Sequence, residues 1–237
     1  CIRDRDCAFF LTAENGLPVQ DEKGSFVLDE EAVTAYVQSL AEEYDGYGRT
    51  RQFHSTRGDV ITIDGGTYGS KMDRKKETAY LLEHLLDPGV HTGTPQSHIP
   101  SYEREAFCYG KNDIGDTYIE VDMTEQKMYY YEKGVLKLET AIVTGNMRRR
   151  MGTPEGVNFV YNKQKNRVLR GPGYASPVKF WMPVKGGIGI HDAGWRKEFG
   201  GDIYQTAGSH GCINTPKDKM EELFDCVQIG TPVVMFY

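Results

Sequence analysis

The chain has 237 residues, of which 39% are apolar and 26% charged, enough for one large or two modest domains that each bury a core. No apolar run reaches the roughly 18 residues that would mark a membrane-spanning helix. A net charge of −6 with no long basic stripe argues against a nucleic-acid partner.

The chain opens on Cys1 rather than Met, which reads as a mature piece or a boundary with its targeting segment elsewhere. Phe9, Phe10 and Leu11 end a short strand, and Asn15-Gly16-Leu17-Pro18 is a turn signal. Asp29 then reads as a helix N-cap with Glu30 and Glu31 in the first turn. Val33, Tyr36, Val37, Leu40 and Tyr44 follow at helical spacing, and Asp45-Gly46 ends the run. A strand and turn are expected over Asp59–Gly66. A second helix starts at Asp73 and presents Ala79, Leu82, Leu85 and Leu86 until Pro88-Gly89 breaks it. Residues 88–116 carry Pro88, Pro95 and Pro100, which places a domain junction there. His91 and His98, inside this stretch, read as solvated loop histidines.

From Thr117 the pattern turns to strands. Tyr118–Asp122 alternates, Met128–Tyr131 and Val135–Leu138 flank the hairpin signal Lys133-Gly134, and short strands are expected at 141–144, 158–161 and 179–182. One helix comes late. Thr215 is its expected N-cap, with Pro216 at N1 and Asp218 at N3, and Met220, Leu223, Phe224 and Val227 form its apolar face. A strand over Val233–Tyr237 closes the chain. The expected architecture is an α+β domain over residues 1–114 followed by a mainly β sandwich or barrel over 115–237.

The chemistry concentrates in Ser209-His210-Gly211-Cys212-Ile213-Asn214. A reactive thiol needs a base, a turn that exposes it and backbone N–H groups for an oxyanion. Gly211 permits the tight turn, and the Gly211 and Cys212 amides are candidate oxyanion donors. His191 ends the apolar run Gly187–Ile190, as a strand delivering a side chain to a cleft would. A rigidly held imidazole makes His191 the expected base, with His210 as a supporting residue and alternative base. A backbone carbonyl or Asp192 can fix the His191 tautomer. Ser209 is expected to hydrogen-bond within the loop and Asn214 to pin the turn. Tyr174, Trp181 and Met182 are candidates for the pocket wall, and Arg148-Arg149-Arg150 reads as a solvated charge run. With Cys212 set aside, four of the five cysteines remain, and their pairing is open.

His191, the following loop and Ser209–Asn214 resemble the signature of the L,D-transpeptidase (YkuD) catalytic domain. That signature is a His, a variable loop, then Ser/Thr-His-Gly-Cys, an apolar residue and Arg or Asn. Thr144-Gly145, Gly152-Thr153-Pro154-Glu155-Gly156 and the final Gly230-Thr231-Pro232-Val233 extend the likeness. Upstream, Arg51-Gln52-Phe53 and Gly65-Gly66-Thr67-Tyr68-Gly69 resemble the peptidoglycan-binding domain that precedes many such catalytic domains.

The resemblance implies a cell-wall enzyme outside the bacterial membrane, anchored through an N-terminal segment, monomeric, without metal or organic cofactor. Its implied substrate is a peptidoglycan stem tetrapeptide. Cys212 would take the acyl group of the third residue and release D-alanine. An amine of a neighbouring stem would then accept the acyl group in a 3→3 cross-link. Carbapenems are the implied covalent inhibitors, and Asp192 and Asn214 join the pocket-wall residues as implied substrate contacts. Water as acceptor would make the activity an L,D-carboxypeptidase. Rival readings are a non-catalytic wall-binding protein and a zinc site on His191, His210 and Cys212. Papain-like enzymes place the Cys before the His, the reverse of the order here.

Overall fold

A computed structural model of the chain describes residues 18–20, 22–23, 26–84, 98–171 and 173–237. The expectations for residues 9–11 and 15–17, for Leu85, Leu86, Pro88 and Gly89, and for His91 lie outside these residues. The chain forms two compact units. One holds Gly48–Tyr68 with Ile114–Tyr237, and the other holds the described residues of 2–47 and 69–113. The expected division at 114/115 counts the segment Gly48–Tyr68 with the N-terminal part, whereas here it packs in the unit of the later strands.

In the smaller unit β1 (Pro18–Gln20) pairs antiparallel with β2 (Phe26–Leu28) ahead of α1 (Glu30–Tyr44). Asp29 caps α1 as its sequence requires, its Oδ1 accepting from Glu31 N at 2.9 Å and Ala32 N at 3.2 Å. Val33, Val37, Leu40 and Ala41 form the buried stripe. In the larger unit β3 (Arg51–His54) and β4 (Val60–Ile63) make a hairpin.

The smaller unit continues with β5 (Lys71–Met72), α2 (Arg74–His84) and β6 (Tyr102–Arg104). Asp73 caps α2 through Lys76 N at 3.1 Å, as expected. The face of α2 differs from expectation. Ala79 is exposed and Leu82 half-buried, while Glu77 is buried. Ala79 offers little apolar area to set the face, whereas the Glu77 carboxylate meets Ser101 N at 3.1 Å and His98 Nε2 at 3.0 Å. His98 is an exposed loop residue as expected, and it also pairs with Glu77 and stacks on Tyr80 with ring centroids 3.6 Å apart.

The rest of the larger unit runs β7 (Tyr118–Asp122), β8 (Lys127–Glu132), β9 (Val135–Ala141), β10 (Gly156–Phe159), β11 (Gln164–Gly171), β12 (Tyr174–Lys185), β13 (Ile188–Asp192), α3 (Ile203–Ala207), β14 (Ile213–Thr215), α4 (Lys217–Cys226) and β15 (Pro232–Phe236). Lys133 and Gly134 make the expected β8–β9 turn, both with positive φ (51° and 74°). One sheet is ordered β10-β15-β7-β8-β9 and the other β11-β12-β13-β14. Ile119, Val121, Met128 and Met235 of the first sheet meet Phe180, Met182, Ile190 and Ile213 of the second, with Met220 and Leu223 of α4, in one core.

The far face of β7 is polar yet buried, because the segment Gly48–Tyr68 covers it. Thr56 donates to Glu120 from N (2.8 Å) and Oγ1 (2.6 Å), and Arg57 Nη1 donates to both Asp122 oxygens at 3.1 and 3.2 Å. Gly66, at φ +102°, bridges Val157 so closely that a Cβ would sit 1.9 Å from its carbonyl oxygen.

Three further differences from expectation have physical causes. Beyond β9 the stretch 142–145 forms only lone bridges, Val143 to Asn214 of β14 and Gly145 to Ser209 of the loop before it. The strand β11 is mostly polar and exposed, so no apolar alternation announced it. Thr215 does not cap α4, which starts at Lys217 with Pro216 at the cap position. Thr215 is held instead in β14 opposite Asp192, with its Oγ1 buried and unbonded.

Candidate active site

Two parallel strands carry the site. The β13–β14 ladder pairs Ile190 with Ile213 and His191 with Asn214. Successive side chains alternate faces, so Ile190 and Ile213 enter the core while His191 and Asn214 share the opposite face with Gly189, and Cys212 immediately precedes β14 on the turn that leads into it. Trp181 of β12 pairs with His191 and joins that face, its ring 5.9 Å from the imidazole. Gly189 must lack a side chain, since a Cβ there would lie 2.4 Å from Met182 O and 2.7 Å from Trp181 Cη2. Trp195, half exposed, sits 5.8 Å from the imidazole.

His191 is buried, and its partners define its protonation. Nδ1 lies 2.9 Å from the backbone carbonyl of Asp192, so Nδ1 carries the proton and donates it there. The Asn214 amide makes hydrogen-bonding sense in one orientation, with Nδ2 donating to His191 Nε2 at 3.1 Å. Its Oδ1 then accepts from Arg196 Nε at 2.6 Å and Nη2 at 3.3 Å. Burial pulls the imidazole below its ordinary pKa. The Asp192 carbonyl and carboxylate oppose that, and the Arg196 charge adds to it. His191 is thus neutral at rest.

Cys212 ends a turn that its neighbours strap tightly. Ser209 Oγ donates to Cys212 O at 2.5 Å and accepts from Gly211 N at 3.0 Å. Gly211 has φ +114°, a backbone state that L side chains avoid. Its carbonyl accepts from Thr153 Oγ1 at 2.8 Å. The Cys212 thiol is a long-range donor to Gly187 O at 3.7 Å and receives the Gly189 N–H. Burial pushes the thiol above its ordinary pKa, and the Gly189 N–H only partly offsets this. The resting pair is a neutral thiol and a neutral imidazole. Among the described residues no hydrogen bond joins them.

The expected site residues distribute as follows. Ser209 holds the loop as expected, and Asn214 bonds His191 directly. Asp192 acts through its backbone carbonyl, because its carboxylate is occupied by Lys179 N at 2.8 Å and Phe180 N at 2.7 Å. His210 is exposed and stacks on Tyr174, ring centroids 4.6 Å apart. Trp181 walls the imidazole, but Met182, one residue on, faces the core and is fully buried. The Gly211 N–H, expected as an oxyanion donor, is taken by Ser209. The Cys212 N–H has no partner among the described residues. Sequence reasoning missed Arg196, Trp195 and the Gly189 N–H. Arg196 and Trp195 lie in a polar loop with no periodic signal, and a backbone donor carries none.

Beside Asp192 and Trp195 opens a groove of about 460 Å³, whose lining includes Arg167, Val168, Lys179 and Lys217. Its three cations suit an anionic chain. Cys212 and Tyr174 are not among the lining residues.

Residues 116–235 match the family described as L,D-transpeptidase catalytic domain, YkuD, and residues 13–89 match the family described as "Putative peptidoglycan binding domain". Among solved structures the chain is similar to a cysteine-to-serine mutant of Enterococcus faecium L,D-transpeptidase, at 37% identity and a TM-score of 0.83 over 96% of this chain and 91% of that one. It is equally similar to the Ldtfm-avibactam carbamoyl enzyme, at 37% identity and a TM-score of 0.83 over 97% of this chain and 89% of that one. The catalytic domain from E. faecium L,D-transpeptidase acylated by ertapenem is 51% identical over 52% of this chain and 98% of that one, with a TM-score of 0.47. No curated protein matches the chain.

Proposed function

The chain belongs to the L,D-transpeptidase family, and we propose that it cross-links peptidoglycan by acyl transfer through the sulfur of Cys212. The observation that carries this reading is the geometry of the β13–β14 ladder. It supports a thiol on a strapped turn leading into β14, with no partner for its own N–H among the described residues and with its sulfur against Gly187 and Gly189 at β13, the strand whose imidazole has its Nδ1–H already committed to Asp192 O.

His191 takes the Cys212 proton at Nε2 once the Asn214 amide yields that nitrogen. The sulfur attacks the carbonyl carbon of the third stem residue, and the Cys212 N–H receives the oxyanion. Collapse breaks the C–N bond to D-alanine, and the imidazolium returns its proton to the departing amine. An amine of a neighbouring stem then attacks the thioester, His191 accepts its proton, and Cys212 leaves as the thiolate that is reprotonated. The groove cations Arg167, Lys179 and Lys217 suit stem-peptide carboxylates, and the N-terminal unit suits binding to the wall polymer. The substrate assigns the protein to the outer face of the bacterial envelope.

The test is mass spectrometry with two reagents. A carbapenem gives a single adduct on Cys212, as the acylated relatives suggest. A disaccharide-tetrapeptide loses D-alanine and forms a dimer. An adduct that survives Cys212→Ala overturns the nucleophile assignment, and full turnover in His191→Ala removes the base. Release of D-alanine with tripeptide and no dimer would make the protein an L,D-carboxypeptidase.

A further inference from the structure

The reading above asks the Cys212 N–H to point at the substrate carbonyl, and a flexible turn would not hold it there. A trans peptide unit sets C=O and N–H antiparallel, so whatever grips the Gly211 carbonyl also aims the Cys212 N–H the opposite way. The grip is the Thr153 hydroxyl, which is buried (3% exposed) and donates to Gly211 O at 2.8 Å. The same Oγ1 accepts from Gly145 N at 3.0 Å, so its proton has only one place to go.

The platform under Thr153 is itself rigid. Gly145 bridges Ser209, Ser209 N donates to Thr144 O at 2.9 Å, and Asn146 N donates to Ser209 O at 2.9 Å. A Cβ on Gly145 would lie 2.0 Å from Met151 O and 2.6 Å from Thr153 N, so the loop closes on it without slack. On the other side of the turn Ser209 takes the Gly211 N–H. Two hydroxyls thus consume the Gly211 donor and acceptor, and the next N–H has no partner among the described residues.

We propose that Thr153 is a positioning residue that, by holding the Gly211 carbonyl, aims the Cys212 N–H at the oxyanion formed on Cys212. The proposal rests on the acyl-transfer reading. It assigns to the loop 145–156 a part in the reaction without any contact to substrate.

The test separates aim from fold. Thr153→Val keeps shape and removes both hydrogen bonds, and Thr153→Ser keeps the hydroxyl. Acylation by a carbapenem forms an oxyanion, whereas alkylation by iodoacetamide displaces iodide and forms none. Thr153→Val is expected to slow carbapenem acylation about 100-fold, the usual scale for one oxyanion donor. Iodoacetamide alkylation of Cys212 should stay within about twofold, and Thr153→Ser should restore acylation. Where thermal melting shows Thr153→Val misfolded, Thr153→Ala carries the same expectation. Undiminished acylation in Thr153→Val, or parallel loss of acylation and alkylation, overturns the proposal. Absence of any adduct on the unmodified protein would instead overturn the acyl-transfer reading beneath it.

Discussion

Asn214→Asp tests how His191 is kept neutral. The new carboxylate would occupy the place of an amide that donates to Nε2 at 3.1 Å, so the ring must now supply a proton to that contact. A charge pair at about 4 Å is worth ~4 kcal/mol at an effective dielectric near 20. Arg196, with Nε 2.6 Å from the same side chain, neutralises roughly half of it. About 2 kcal/mol remains in favour of imidazolium, a factor of ~30 in the population of the neutral base. An added carboxylate raises the folded pKa of a histidine, so the acid limb of the rate profile moves to higher pH. The deficit is therefore largest on the acid side and closes as pH rises. Stopped-flow acylation by a carbapenem, followed from acidic to alkaline pH, reads this directly. Slowing by the same factor at every pH, or an acid limb that coincides with the parent's, would refute the reasoning.

Further expectations follow from the same geometry. The Cys212 thiol is held above its ordinary pKa by burial, so its alkylation by iodoacetamide should climb about tenfold per pH unit through pH ~9; a plateau at or below pH ~8 contradicts the burial argument. Gly211→Ala forces an L residue to φ +114° beside Ile188 and should cost about 1–3 kcal/mol with loss of acylation, measured by thermal melting and adduct mass. Arg57→Ala removes the guanidinium from the buried Asp122 carboxylate, which keeps only the Thr124 and Glu125 N–H groups, and should destabilise the protein by about 2 kcal/mol in urea unfolding. The loss should be much smaller in an Asp122→Asn background, and equal losses in both would show that the pair is not the source.

Much of the fold was legible because its causes are local. Asp29 before an apolar stripe gives a capped helix, and Lys133-Gly134 between alternating runs gives a hairpin, wherever the segments end up. Expectations failed where long-range partners decide. Ala79 lost the inward face of α2 to Glu77 because His98 and the Ser101 amide, far along the chain, offer that carboxylate its bonds. Thr215 lost its cap to a ladder with Asp192. Composition makes Met182 a pocket-wall candidate beside Trp181, but strand alternation sends adjacent residues to opposite faces.

The site divides along the same line. Residue chemistry alone singled out Cys212 and His191, since a thiol after a Gly-permitted turn and a histidine ending an apolar strand are visible in one dimension. Which N–H remains open, which nitrogen of His191 carries the proton, and what fixes the Asn214 amide depend on Thr153, Asp192 O and Arg196. Those are hydrogen bonds made across the ladder and between distant loops, and their partners leave no spacing in the sequence. The sequence determined which groups can react; the tertiary structure decided how they are aimed, because aim is set by bonds that exist only after the strands pair.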